Sequence, residues 1–95
     1  MDKVKTQVTV GRQTYSIVTE DPSHIKRVGI YTDKKFQEIN EATKLPSLSV
    51  AVLTALNIAD ELFNAQNEIT RLRKEILRLS EKAAAPARPK KEKQP

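Results

Sequence analysis

Few residues in this chain could carry out acid–base chemistry or bind a metal. The chain has one histidine, His24, and no cysteine. Thiolate sites and disulfides are therefore excluded, and a lone histidine supplies too few ligands for a transition metal. As a general base, His24 would need a nucleophile and an orienting acid, and nothing in its neighbourhood suggests either. The sequence thus predicts no metal and no cofactor.

Two carboxylates with apolar neighbours do not indicate catalysis either. Asp60 and Glu61 lie on a predicted helix without a partner that would form a pocket, so we interpret them as surface charges. The sequence contains no glycine-rich phosphate loop and no Ser-His-Asp set. We predict that the chain is not an enzyme and has no small-molecule substrate.

The stretch 47–85 is the element around which the rest of the chain is organised. It follows Pro46 and contains no glycine or proline before Pro86, so a helix of about forty residues is allowed. Apolar residues recur within it at the a and d positions of a heptad repeat, which is the pattern of a coiled coil. The predicted seam consists of Ala55, Ile58, Leu62, Ala65, Ile69, Leu72, Ile76 and Leu79.

This seam predicts self-association. A polar helix with one thin apolar stripe cannot bury that stripe against itself, and isoleucine at a with leucine at d favours a parallel two-stranded coil. Leu77, an apolar residue outside the seam, is compatible with a further pairing of dimers or with ordinary exposure. A second apolar face near the helix start is expected to pack under the rest of the chain: Val52, Leu56, Ala59 and Phe63.

Charged residues beside the seam are compatible with the same arrangement. Glu68 at a g position would face Arg73 at an e position of a parallel partner. Arg71 and Glu75 are predicted to form an i,i+4 pair within one helix. Exposed ion pairs contribute little, about 0–1 kcal/mol each, so the apolar seam sets the register.

Residues 1–46 are predicted to form a small head. Val4 to Val10 alternates apolar and polar residues, which indicates a half-buried strand, and the Gly11-Arg12 pair suits a two-residue turn. We predict a hairpin over 4–18, with Gly11 as the first central residue of a type II′ turn. Tyr15 and Ile17 lie on the apolar face of the returning strand.

A helix is predicted over 22–40, followed by a loop over 41–46. Asp21 can cap this helix and Pro22 suits its first position. Gly29 lies in its predicted apolar stripe, where glycine costs about 1 kcal/mol relative to alanine. Two interpretations stay open for Gly29: another backbone approaches closely there, or the glycine is simply tolerated. The fold class is therefore α+β, a hairpin-and-helix head followed by a long C-terminal helix.

The net charge of +5 is spread unevenly along the chain. Residues 1–46 carry eight basic and six acidic side chains, residues 47–82 five of each, and residues 83–95 four and one. The segment 86–95 is predicted to be a disordered basic tail, either a solubilising end or a contact for nucleic acid, an acidic lipid surface or an acidic partner tail. We expect no apolar run long enough for membrane insertion and no signal peptide at the start.

Three parts of the sequence together resemble one protein family. They are the Gly11-Arg12 turn, the run Tyr31-Thr32-Asp33-Lys34-Lys35, and the run Leu53-Thr54-Ala55-Leu56-Asn57-Ile58-Ala59-Asp60-Glu61-Leu62. In order and spacing they resemble the bacterial ZapA cell-division proteins, over about residues 4–80. The Ala-Leu-Asn-Ile segment is the most specific part of this resemblance.

The resemblance implies a dimer that pairs into an antiparallel dimer of dimers. It also implies binding to the tubulin-like division protein FtsZ, whose filaments the oligomer would bundle in the cytoplasm at the mid-cell division site. Arg12 matches the family's Gly-Arg turn and Lys44 lies near its basic loop, so both are expected to contact FtsZ. Lys34 and Lys35 would add charge complementarity toward an acidic filament. The helix end and the Pro/Lys tail depart from the family pattern.

Two other functions stay open on the residues alone. One is a generic coiled-coil adaptor for another protein, and the other is a basic dimer that binds nucleic acid without sequence preference. Zipper-type DNA-binding proteins place a dense basic helix directly before the heptads. Residues 47–59 contain no lysine or arginine, which speaks against nucleic acid as the partner.

Overall fold

A computed structural model describes residues 2–84. The described residues divide into two units, one extending to Asp60 and the other starting at Glu61. The predicted tail over 86–95 lies outside the described residues. The elements in chain order are strand β1 (Val4–Val10), strand β2 (Gln13–Thr19), helix α1 (Pro22–Thr43) and helix α2 (Ser47–Ala84). This is the predicted α+β architecture.

The two strands form an antiparallel hairpin whose register runs from Val4 opposite Thr19 to Val10 opposite Gln13. The predicted hairpin therefore extends one residue further than 4–18. The alternation in β1 separates its two faces as expected, since Thr6 and Val8 are buried while their neighbours are exposed. A two-stranded hairpin is marginal alone in water, so its buried face must be covered, and α1 packs against β1.

The turn between the strands differs from its predicted type. Gly11 has φ +61° and Arg12 has φ +70°. A type II′ turn needs positive φ only at its first central residue, whereas a type I′ turn needs it at both. The turn is therefore of type I′, and the predicted type II′ turn is wrong. Because arginine rarely adopts a positive φ, the residues Gly11-Arg12 did not indicate a type I′ turn.

Helix α1 begins as predicted and ends later. The Asp21 side chain accepts a hydrogen bond from the His24 backbone N–H at 3.1 Å, and Pro22 is the first helical residue. The helix continues to Thr43 instead of ending at 40, and the predicted loop over 41–46 shrinks accordingly. Lys44 ends it in the left-handed conformation, with φ 56° and ψ 31°. No glycine marks this position, so the sequence lacked the usual stop signal.

The buried stripe of α1 lies against the hairpin. A Cβ atom added at Gly29 would collide with Cγ1 of Val8, a buried residue of β1. Neither interpretation of Gly29 holds as stated. The glycine is not merely tolerated, because it is needed for close packing of the helix on the strand. The atom that approaches belongs to a side chain, not to a backbone as the first interpretation supposed.

Helix α2 spans 38 residues, and its first turns belong to the unit that contains the hairpin. Val50 is completely buried there, and the buried Thr54 hydroxyl donates to the Val50 carbonyl at 2.7 Å. The prediction of which face packs under the head is therefore wrong. Val52, Leu56 and Phe63 are exposed and Ala59 is half-buried. Because the helix start is apolar on several sides, periodicity could not tell which side would be covered.

By length and composition alone, one helix among residues 2–84 could cross a membrane, over Ser47–Ala83. Length and composition alone do not overturn the expectation of no membrane insertion. The criterion is also met by core helices of soluble proteins. In the second half of this helix, Arg71, Arg73, Lys74 and Glu75 flank the apolar stripe. A narrow stripe between charged flanks is typical of a coiled coil, whereas lipid requires an apolar surface on all sides.

Candidate functional site

The hairpin turn presents the first predicted contact residue. Arg12 is exposed and occupies the second central position of the turn, with its backbone in the left-handed region. The preceding Gly11 N–H donates a hydrogen bond of 2.9 Å to Asp33 Oδ1 on α1. The turn is therefore fastened to the helix, and its arginine projects from an anchored segment.

The two predicted lysines of α1 differ in their surroundings. Lys34 is exposed, whereas Lys35 is half-buried and places its Nζ 5.4 Å from the centroid of the Tyr31 ring. This is a cation–π distance. Successive residues of an α-helix point about 100° apart, so the two ammonium groups leave the helix in different directions. Lys34 is adjacent in sequence to Asp33, the residue that holds the turn.

Lys44 lies at the junction between the two helices. It is exposed, it forms the left-handed end of α1, and its backbone N–H donates to the Asn40 carbonyl at 3.2 Å. Its position is therefore fixed by the helix end. The predicted basic residues thus occupy three places in this unit: the hairpin turn, the middle of α1 and the end of α1.

An apolar cleft of about 370 Å³ opens beside the turn. The hairpin contributes Val10 and Tyr15 to its lining, α1 contributes Phe36, and the first turns of α2 contribute several small and apolar residues. Two of these residues, Ala55 and Ile58, are the first members of the predicted seam. The seam therefore begins inside the unit that carries Arg12.

The rest of the seam is uncovered in the single chain. Its large side chains expose between 43 and 62% of their surface: Leu62, Ile69, Leu72, Ile76 and Leu79. Ala65 is exposed as well. Monomeric soluble proteins rarely expose a contiguous apolar patch of this kind, and such patches mark interaction surfaces. Leu77, outside the seam, is also exposed.

The charged residues beside the seam pair differently from the prediction. Arg71 binds Glu68 and Arg78 binds Glu75, each at 2.6 Å and with i,i+3 spacing. The predicted Arg71–Glu75 pair is therefore wrong. In this chain Glu68 is bound by Arg71 of its own helix, while its predicted pairing with Arg73 of a second copy stays a prediction.

These exposed pairs have a small electrostatic effect. The hydrogen bond from Arg71 holds the pKa of the Glu68 carboxyl below its ordinary value. The same hydrogen bond raises the pKa of the Arg71 guanidinium. Both groups are exposed to solvent, so the shifts report local pairing and not a buried reactive group.

Two residues of this site were missed by the sequence analysis as partners of the turn. Asp33 was considered only as part of the Tyr31-Thr32-Asp33-Lys34-Lys35 run, and Phe36 was not singled out. A signal existed in their spacing, because residues three apart lie on the same side of a helix. Among residues 2–84, no cluster of histidine, aspartate and glutamate could hold a metal ion.

Comparison with known proteins gives one consistent result. The sequence model of the family described as "Cell division protein ZapA" matches residues 6–88. The ZapA protein of Shouchella clausii is 41% identical over 69 residues, which are 70% of this chain and 88% of that protein. The ZapA protein of Bacillus subtilis is 35% identical over 78 residues, covering 78% of this chain and 89% of the relative.

A solved structure agrees with the sequence relatives. It is described as a ZapA mutant dimer from Geobacillus stearothermophilus. It matches with a TM-score of 0.64 and 36% identity, covering 80% of this chain and 91% of that chain. At this identity and score the two chains share the fold, which confirms the predicted α+β class.

Proposed function

The chain belongs to the ZapA family of cell division proteins, and from this premise we propose that it binds FtsZ and cross-links its filaments as a homo-oligomer. The activity is binding and not catalysis. It would take place at the division site, where FtsZ filaments assemble. The observation that supports this proposal most directly is the exposed Arg12 on a turn that is anchored to α1.

Self-association would be driven by the seam. Each large seam side chain is about half exposed in the single chain. Burying an apolar side chain fully contributes about 1.5–3 kcal/mol, so a second copy laid along this stripe would gain several kcal/mol. The solved ZapA relative from Geobacillus stearothermophilus is described as a dimer. We propose a dimer joined at the seam, with a tetramer formed as an antiparallel dimer of dimers.

Oligomerisation converts weak contacts into filament bundling. Each copy brings one Arg12, so an oligomer holds several filament contacts. Once one contact has formed, the next becomes effectively intramolecular, and modest affinity per copy is sufficient to join two polymers. Arg12 and Lys44 would provide positive charge toward an acidic filament, with Lys34 and Lys35 contributing less directly. Such charges mainly set the association rate and the salt sensitivity.

Charge reversal at the turn tests this proposal. Arg12→Glu should abolish bundling of polymerised FtsZ in a sedimentation assay while the oligomer keeps its mass. The matched control is Lys5→Glu, which makes the same change of charge on an exposed residue paired with Val18, far from the turn along the hairpin. If bundles sediment equally with Arg12→Glu and with the unchanged chain, the turn does not contact FtsZ.

A further inference from the structure

The conformation of the hairpin turn requires an explanation from outside the turn. Type I′ turns favour Asn-Gly or Asp-Gly, which place glycine at the second central position. Here the order is reversed, and Arg12 holds that position with φ +70°. An L-residue other than glycine is disfavoured in this region of backbone space. The two turn residues alone do not select this geometry.

Asp33 provides one contact from outside the turn that favours this turn conformation. Its Oδ1 accepts the Gly11 N–H at 2.9 Å in a partly buried position. In a two-residue hairpin the N–H of the first turn residue has no partner in the strand ladder, so this bond satisfies a donor that the hairpin leaves open. The same oxygen is 3.4 Å from Nε2 of Gln37, one turn further along α1. The carboxylate is thus oriented by its own helix.

Phe36 supplies the second constraint. A Cβ atom added at Gly11 would lie between 2.9 and 3.1 Å from three carbon atoms of the Phe36 ring. The ring is buried and cannot easily move away. Asp33 and Phe36 are one helical turn apart on α1, so one accepts the hydrogen bond of this glycine and the other leaves no room for a side chain there.

We propose that Asp33 is a positioning residue for Arg12. Asp33 does not itself contact the filament; its acceptor oxygen holds the backbone of the turn from which the Arg12 side chain projects. A contact held in its bound geometry loses less conformational entropy on binding. A carboxylate beside a residue that contacts an acidic partner would repel that partner. The hydrogen bond to Gly11 therefore explains the presence of Asp33 better than direct contact with the filament does. The proposal rests on the proposed function at Arg12.

The test compares two substitutions at the same position. Asp33→Ala removes the acceptor, whereas Asp33→Asn keeps an acceptor oxygen and removes the charge. We expect Asp33→Ala to raise the protein concentration needed for half-maximal FtsZ bundling about fivefold, the effect of one hydrogen bond that orders the contact. Asp33→Asn should restore bundling to within about twofold of the unchanged chain.

A structural measurement accompanies the bundling assay. The chain contains two glycines, so labelling with ¹⁵N-glycine gives one backbone amide signal for Gly11 and one for Gly29. Asp33→Ala should increase the hydrogen exchange rate of Gly11 and leave that of Gly29 unchanged, which shows that the packing of α1 on β1 is intact. Asp33→Asn should keep the protection of Gly11. Unchanged protection of Gly11 in Asp33→Ala would contradict the proposal.

A double variant separates this proposal from the one on which it rests. If Asp33 acts through Arg12, Asp33→Ala should have no further effect on bundling in a chain that already carries Arg12→Ala. Additive losses would show that Asp33 acts independently, which overturns the positioning role. If Arg12→Ala alone leaves bundling unchanged, the proposed contact at the turn fails. If Arg12→Ala weakens bundling but Asp33→Ala does not, only the positioning role fails.

Discussion

The two units of the described chain differ in what surrounds their apolar side chains. In the unit up to Asp60, Val8, Phe36 and Val50 are buried by contacts within one chain. In the unit from Glu61, the seam side chains are exposed, and the ion pairs link residues of the same helix. The first unit can therefore fix the turn that carries Arg12 by itself, whereas the second can bury its stripe only against another chain.

Under the proposed function, this difference separates two properties that a filament cross-linker requires. Affinity per copy would depend on the turn and its contacts with α1, all of which lie before Asp60. The number of copies would depend on the seam, most of which lies after it. Substitutions in the two units should therefore affect different measurements, and that division is what the following predictions test.

The largest effect is expected at the seam. Ile76→Glu places a charge at an a position, so we predict a mass below that of the unchanged chain, with at most dimers persisting, and weakened FtsZ bundling. Light scattering gives the mass. Asn67→Glu, which adds the same charge at an f position away from the seam, serves as the control and should keep the full mass. A wild-type mass for Ile76→Glu would show that the seam is placed incorrectly.

A smaller effect is expected in the core of the first unit. Val50→Ala should lower the free energy of unfolding by about 1–3 kcal/mol, because two buried methyl groups leave a cavity. Val52→Ala, the same change at an exposed position two residues later, should alter it by less than about 0.5 kcal/mol. Urea denaturation measures both. Equal effects at the two positions would mean that α2 packs on its neighbours through a different face.

This pair of valines also shows which features of the fold could be predicted from the sequence and which could not. The alternation of β1, the cap at Asp21 and the heptads of α2 each depend on short-range patterns, and they predicted the elements and their order. Which side of α2 is buried depends on where the hairpin lies. The start of α2 is apolar on several sides, so its sequence pattern does not identify the buried side. The seam was predicted from spacing, although the single chain leaves its pairing untested.

The details of the candidate site were harder to predict from the sequence than the elements and their order. Arg12 was predicted through its resemblance to a family motif. Its positive φ was not predicted, nor was the hydrogen bond from the Gly11 N–H beside it to Asp33, twenty-two positions further along the chain. The end of α1 at Lys44 was missed because a lysine takes the conformation in which glycine is usual. A tertiary contact therefore decides the details at the turn, and an unusual local backbone conformation decides them at Lys44.

The smallest effect is expected at the exposed ion pair of the second unit. Pairing with Arg71 lowers the pKa of Glu68 in the folded chain. A lowered folded-state pKa stabilises the fold above the unfolded-state pKa, and the contribution is lost as the pH falls through the folded-state value. The difference in melting temperature between the unchanged chain and Glu68→Gln should therefore be small at pH 7, shrink as the pH falls below the ordinary value of 4.5, and vanish below the lowered folded-state pKa. A difference that grows on acidification would contradict this assignment.

The dependence of the second unit on another chain can be measured directly. Sedimentation equilibrium of the unmodified chain over the micromolar range should give a mass of at least twice the 10.7 kDa of one chain. Hydrogen exchange under the same conditions should show that the helix backbone around Ile69 and Ile76 is protected. A single species of 10.7 kDa throughout that range, with rapid exchange along the seam, would contradict the account.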